Sequence, residues 1–146
     1  MKNIKSFATI FPVVLILILG AAHTVSGQNK GAGHKIVFQL TDNDPGSQKS
    51  LTNQLKNLTE GWPEAQFEVV VHSAGISYLQ KSKTKYAAEI AALDELGVVF
   101  KACENTLKAK SISKDDILDV AGFVPMGIAE VVKKQEAGWS YIKAGL

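Results

Sequence analysis

Beyond residue 34 the chain alternates between short apolar runs and longer stretches whose apolar residues recur every three or four positions. Ile36-Val37-Phe38-Gln39-Leu40 and Phe67 to Val71 are nearly continuous apolar runs, the pattern of strands covered on both faces. Between them, Asp42-Asn43-Asp44-Pro45-Gly46-Ser47 predicts a turn and a capped helix start. Leu51, Leu55 and Leu58 then mark one helical face, and Gly61-Trp62-Pro63 ends it. Tyr86, Ile90 and Leu93 repeat the spacing, with Gly97 as the stop. Val98-Val99-Phe100 predicts a third strand, Glu104 to Lys110 a short helix, and Ser113-Lys114-Asp115-Asp116 the cap and first turn of another. Phe123-Val124 reads as a very short fourth strand. Pro125 suits the first position of a helix with Ile128, Val131 and Val132 on one face, closed by Gly138. Trp139 to Lys143 alternates as a last strand. Strands separated by helices pair in parallel through right-handed crossovers. The expected fold is α/β: a three-layer α/β/α sandwich with a mostly parallel sheet of about five strands.

The first residues follow a different pattern. Lys2 and Lys5 precede an apolar run from Phe7 to Leu19, broken only by Thr9 and containing Pro12. Thirteen residues match the apolar core of a signal peptide and fall short of a bilayer-spanning helix. Small residues place cleavage after Gly27, with Gly20-Ala21-Ala22 as a second candidate; an uncleaved N-terminal anchor is the alternative. Three segments are expected: a signal peptide over 1–27, a flexible Gly-rich lead-in over 28–34, and a single domain over 35–146. The mature protein is expected to be exported, periplasmic or secreted, with no membrane attachment after cleavage.

Charge changes the picture once that segment is set aside. The whole chain of 146 residues carries 16 Lys, no Arg and 14 Asp+Glu, a net charge of +2. Residues 28–146 carry 14 Lys against the same 14 acids, hence no net charge. This speaks against nucleic acid, which calls for a basic stripe and usually for arginine forks. A hydrophobic content of 46% excludes a disordered chain, and a lone cysteine excludes a disulfide scaffold or a CxxC site. Gly31-Ala32-Gly33 precedes the first strand, where a dinucleotide fingerprint cannot act. Asp42-x-Asp44-x-Gly46 lacks the twelfth ligand of a calcium loop and reads as helix capping. Asn57-Leu58-Thr59 is a sequon on a helix, read as chance. The spacing of His34, His72 and Cys103 gives no support to a metal site, and neither metal nor cofactor is expected.

Two candidate groups remain. Cys103 falls where a strand gives way to a helix, at the strand edge where open α/β sheets build sites. Unpaired N–H groups there favour the thiolate; Lys101 and Lys108 add positive potential, and Glu104 opposes it. The same position equally suits a small buried side chain that only packs. His72 ends the second strand, on the same sheet edge, either to hold or deprotonate the thiol or to shape the His72-Ser73-Ala74-Gly75 loop. Gln135 continues the Ile128, Val131, Val132 face, where a buried polar group needs partners, so it is expected to line the site or a subunit contact.

Three segments together resemble the DsrE/DsrF-like sulfur-relay family. Phe67 to Ile76 is similar to its second strand and His-x-x-Gly turn. Gly97-Val98-Val99-Phe100-Lys101-Ala102-Cys103-Glu104-Asn105-Thr106-Leu107 resembles its strand, Cys and Asn segment. Val124-Pro125-Met126-Gly127-Ile128, Gln135 and Gly138 to Lys143 resemble its C-terminal signature. With the Asn53 and Asn57 helix, the resemblance covers about residues 35–146. It implies a compact α/β/α domain assembling with itself as trimers or hexamers. Some members carry sulfur as a persulfide on a cysteine, with a donor or acceptor protein as partner. It carries over Cys103 as the sulfur-bearing residue; His72 is expected beside it as the other half of the reactive pair, and Lys101, Asn105 and Gln135 as substrate contacts, in a sulfur carrier rather than a conventional enzyme. Cys103 is not the position used by every sulfur carrier of the family, and an export signal departs from a cytoplasmic relay. The competing expectation is a non-catalytic homo-oligomeric binding module with a buried cysteine, in which Trp139 and Tyr141 serve an interface or pack in the core.

Overall fold

The computed structural model describes residues 33–145, so the expected signal peptide and most of the lead-in lie outside the described residues. Five strands, all parallel, form one sheet in the order β4-β3-β2-β1-β5. They are β1 (Lys35–Leu40), β2 (Gln66–Val71), β3 (Val98–Cys103), β4 (Gly122–Val124) and β5 (Ser140–Lys143). The helices between them are α1 (Pro45–Gly61), α2 (Ala87–Glu95), α3 (Glu104–Ala109) and α4 (Gly127–Glu136). Two 3-10 segments, Ser73–Tyr78 and Lys114–Asp116, complete the connections.

Local chemistry explains the boundaries. Asp44 caps α1 by accepting the Ser47 N–H at 2.8 Å, and Pro45 opens the helix where no donor is needed. Ser113 and Asp116 form a reciprocal capping box around their 3-10 turn. Gly97 and Gly138 take the left-handed conformation that ends α2 and α4. At the start of β1, the His34 carbonyl accepts the Gln66 N–H at 2.7 Å and its ring lies tilted against Trp62, centroids 4.2 Å apart.

The two faces of the sheet are unequal. Ile36, Phe38, Leu40, Phe67, Val69, Val71, Phe100 and Ala102 point to one side and pack with Leu51, Leu55, Ile90, Leu93 and Leu107, from α1, α2 and α3. Within that core, the Thr52 hydroxyl donates to the Gln48 carbonyl at 2.8 Å, which leaves Tyr78 to donate to Thr52. Val37 and Val70 point to the other side, where α4 alone supplies Val131, with Trp139 against it. Crossover handedness produces this division. The chain steps from β1 to β4 in one direction with its helices on one face. It then recrosses the sheet to β5, which puts α4 on the opposite face.

The phase of α4 corrects two expectations. Its inward residues are Gly127, Val131 and Lys134, whereas Ile128 and Val132 are exposed. The sheet beneath carries Glu68, only 3% exposed, and Lys134 reaches its Oε2 at 2.6 Å. Burying this carboxylate selects the helix face that brings a cation to it. Gln135 is turned outward as a result. Pro125 does not open α4 either. Met126 is the N-cap, and the Pro125 carbonyl instead accepts the Asn105 N–H at 3.2 Å, tying α4 to α3.

Candidate functional site

The chain leaving β3 enters α3 on the crowded face; the chain leaving neighbouring β4 enters α4 on the other. Their carboxyl ends diverge, which makes a topological switch point, the place where open α/β sheets leave a crevice. Cys103 and Val124 are register partners there, each the last residue of its strand.

Cys103 is 5% exposed and is the N-cap of α3. Its Sγ accepts the Gly127 N–H at 3.2 Å, from the start of α4. The Thr106 hydroxyl and the backbone at the start of α3 also favour the charged form of the sulfur. Burial pushes the thiol up, but the combined donors, led by the Thr106 hydroxyl, outweigh it and hold Cys103 below its ordinary 9.0. Thr106 is fixed in turn, because its Oγ1 accepts the Ser73 N–H at 3.0 Å, and Ser73 takes a positive φ of 56° to present it. Glu104, whose charge opposes a thiolate, is paired with Lys114.

His72 lies beside the thiol but is not its hydrogen-bond partner. Its Nε2 meets the Gln39 side-chain amide at 2.8 Å and its Nδ1 meets Ser73 Oγ at 2.9 Å. Tyr141 donates to Gln39 Oε1, so the Gln39 amide nitrogen faces Nε2 and the ring proton sits on Nδ1. Of the two expected roles, holding or deprotonating the thiol and shaping the loop, this geometry matches the second: both ring nitrogens are engaged, and His72 braces the turn. Gly127 separates the ring from the thiol, and a Cβ there would stand 3.1 Å from His72 Cδ2 and 3.3 Å from Cys103 Cβ.

The other expected residues divide. Asn105 is exposed at the start of α3, and its backbone N–H donates to the Pro125 carbonyl. Lys101 shares the sheet face of Cys103 but turns its Nζ onto Gly122. Gln135 is exposed in the last turn of α4, at the far end from Gly127 and away from the thiol, on the outward face with Ile128 and Val132. His34 lies at the opposite end of β1, about 20 Å of strand away at 3.3 Å per residue. Sequence reasoning missed Thr106, Gln39 and Tyr141. Only Thr106 left a local sign, three residues after the cap in the position of a capping-box partner.

Burial lowers His72 below its ordinary 6.5, so the folded protein holds it neutral at neutral pH. The unfolded chain then takes up this proton at a higher pH than the folded one. The favourable contribution is complete above 6.5 and is lost as pH falls through the window below it. Denaturant unfolding midpoints are expected to fall between about pH 7 and about pH 5, and His72→Gln to flatten part of that fall. An identical pH slope in the variant would show that His72 is not its source.

A thiol held by converging donors at the switch point of an open parallel sheet defines a cysteine-bearing protein of the doubly wound α/β class. The DsrE/DsrF-like family model matches residues 34–144, and the chain belongs to that family. Among solved structures, a protein of unknown function, MTH1491, from Methanobacterium thermoautotrophicum is similar at 31% identity. The match covers 75% of this chain and 98% of that one, with a TM-score of 0.72. The ychN protein of E. coli (18% identity, 75% and 98% coverage, TM-score 0.59) shares the fold. So does BT1422 of Bacteroides thetaiotaomicron (16% identity, 75% and 93% coverage, TM-score 0.59). No match was found among functionally curated proteins.

Proposed function

We propose that this protein binds and relays sulfane sulfur on Cys103, outside the cytoplasm. The observation that carries the reading is the seating of the Cys103 thiol at the switch point between β3 and β4, where its Sγ accepts the Gly127 N–H from the start of α4. The Cys103 thiolate attacks the outer sulfur of an inorganic polysulfide. A new S–S bond forms, the polysulfide S–S bond breaks, and a polysulfide one sulfur shorter leaves with the electron pair. An acceptor thiolate then attacks the outer sulfur of the persulfide, and the Cys103 thiolate departs. A lowered pKa helps both steps, since it raises the thiolate fraction and improves the leaving group. The 5% exposure of Cys103 suits a small inorganic donor and disfavours a disulfide between chains. Export rests on the N-terminal sequence, with Lys2, Lys5 and the Phe7 to Leu19 run.

A second reading has its own support. Met126, Ile128 and Val132 are 48%, 53% and 47% exposed, an apolar surface suited to self-assembly as a trimer or hexamer, with Cys103 a packing residue.

Intact mass of the protein isolated from cells expressing the full chain separates the two. After polysulfide treatment a reducible gain of about 32 Da, one sulfur atom, is expected. It is expected to be absent in Cys103→Ser and slower to form in Thr106→Val, which removes the hydroxyl donor. The untreated mass is expected to begin after Gly27. Absence of the adduct, with slow alkylation of the native thiol, overturns the relay reading in favour of the assembly module.

A further inference from the structure

Gln39 interrupts a strand that is otherwise buried and apolar. It is 7% exposed and stands between Phe38 and Leu40, both fully buried. Two residues after Val37, it shares the sheet face that α4 covers. A buried amide needs partners for its oxygen and for its nitrogen. β1 lies between β2 and β5, and each neighbouring strand leads to one of them. The Tyr141 hydroxyl of β5 donates to Oε1, and His72, just after β2, places its Nε2 2.8 Å from the amide nitrogen.

An amide oxygen only accepts, and an amide nitrogen only donates. With the tyrosine proton on Oε1, the Gln39 N–H points at a bare His72 Nε2, and the ring proton lies on Nδ1, 2.9 Å from Ser73 Oγ. A charged ring carries a proton on both nitrogens, so it would set two donors against each other across the Gln39 contact. The Gln39 amide would have to invert, and Tyr141 to turn from donor to acceptor with it. The surroundings supply no charge that would drive this. The titratable groups nearest the ring are Cys103 of β3, across Gly127 of α4, and Tyr141 of β5, beyond Gln39. Glu104 at the start of α3 is paired with Lys114, and Glu130 of α4 lies toward Lys134. Lys101 of β3 turns onto Gly122, and Lys143, the register partner of Gln39, is exposed. No ion pair among the described residues includes His72.

We propose that Gln39 is a positioning residue of the thiol site: it holds His72 uncharged, with its proton directed at Ser73, so that no imidazolium stands beside Cys103. An imidazolium there would stabilise the thiolate further and lower its intrinsic nucleophilicity. That purpose rests on the relay reading, but the state of the ring is read without any sulfur transfer. Failure to form the polysulfide adduct would overturn the relay and leave this assignment standing.

The test is nitrogen NMR of the His72 ring in the isotope-labelled protein isolated from cells expressing the full chain. The parent is expected to hold the single Nδ1–H form at about pH 7. Gln39→Glu replaces the donor with a carboxylate that accepts, and His72 is expected to bind its proton at least about tenfold more tightly. Alkylation of Cys103 by iodoacetamide is expected to gain an inflection at the same pH. Burial keeps the parent ring below its ordinary 6.5, so the parent profile is expected to lack that inflection above this pH. Gln39→Met keeps the length without the amide and is expected to lose the single ring form, which decides the matter even if the glutamate variant fails to fold. Val131→Ala, which thins the packing on Val37 and Val70, is expected to lower the unfolding midpoint and leave the ring unchanged. A parent ring protonated on Nε2, an unmoved His72 titration in Gln39→Glu, a single ring form kept in Gln39→Met, or an equal shift in Val131→Ala each overturns the proposal.

Discussion

Gly75→Ala is expected to cost about 3 kcal/mol or more, the upper range for overpacking, and to return Cys103 toward an ordinary thiol. A Cβ at Gly75 would stand 2.6 Å from the Leu40 carbonyl oxygen and 2.9 Å from its carbon. Backbone cannot yield there as a side-chain tip can. The Leu40 carbonyl accepts the His72 N–H at 3.1 Å, and the Gly75 N–H donates to Thr41 at 3.0 Å. Any shift therefore moves the turn that carries His72 and Ser73. Ser73 then releases Thr106, and the strongest stabilising donor to the thiolate loses its anchor. Denaturant unfolding together with the pH profile of alkylation checks both halves. Near-normal stability with an unchanged alkylation profile would show that the turn tolerates the methyl and does not govern the thiol.

The second large effect lies beneath α4. Lys134→Met is expected to destabilise by about 3 kcal/mol, because it leaves the Glu68 carboxylate buried without its cation. The low end of the range for broken buried pairs applies, since the Lys134 side chain keeps 22% of its exposure. One oxygen of Glu68 has no partner among the described residues, so the pair itself is not an efficient source of stability. Glu68→Leu combined with Lys134→Met is accordingly expected to match or exceed the parent, as when a buried ion pair gives way to packed apolar groups. Unfolding midpoints of the two variants decide this. A double variant no better than the single would mean that α4 is positioned by the pair rather than burdened by it.

The same ion pair shows why part of the molecule was legible in the sequence and part was not. Strands and capped helices are written locally. Ile36 to Leu40 reads as a strand from its apolar run, and Asp44-Pro45 opens α1 from two adjacent residues. The handedness rule then supplies the layers. The phase of α4 is not local, since Ile128 and Val132 look as fit for burial as Val131. Glu68, on a distant strand, decides which face turns inward through Lys134. The site follows the same division. Cys103 was legible because strand ends in this class of fold gather function. Gln39 resembled any polar interruption in a strand, and only the register with β2 and β5 brings it between His72 and Tyr141. Gln135 is in phase with Ile128 and Val132, and all three turn outward together, so its place on a buried face was not legible.

The Gly127 amide that faces Cys103 comes from 24 residues further along the chain, after β4 has been laid down. A chain in which α4 has not docked lacks that donor, and its thiol stands closer to ordinary acidity than the native one. The acidity of the cysteine is thereby tied to closure of the last crossover, so the reactivity of the thiol reports whether α4 is seated.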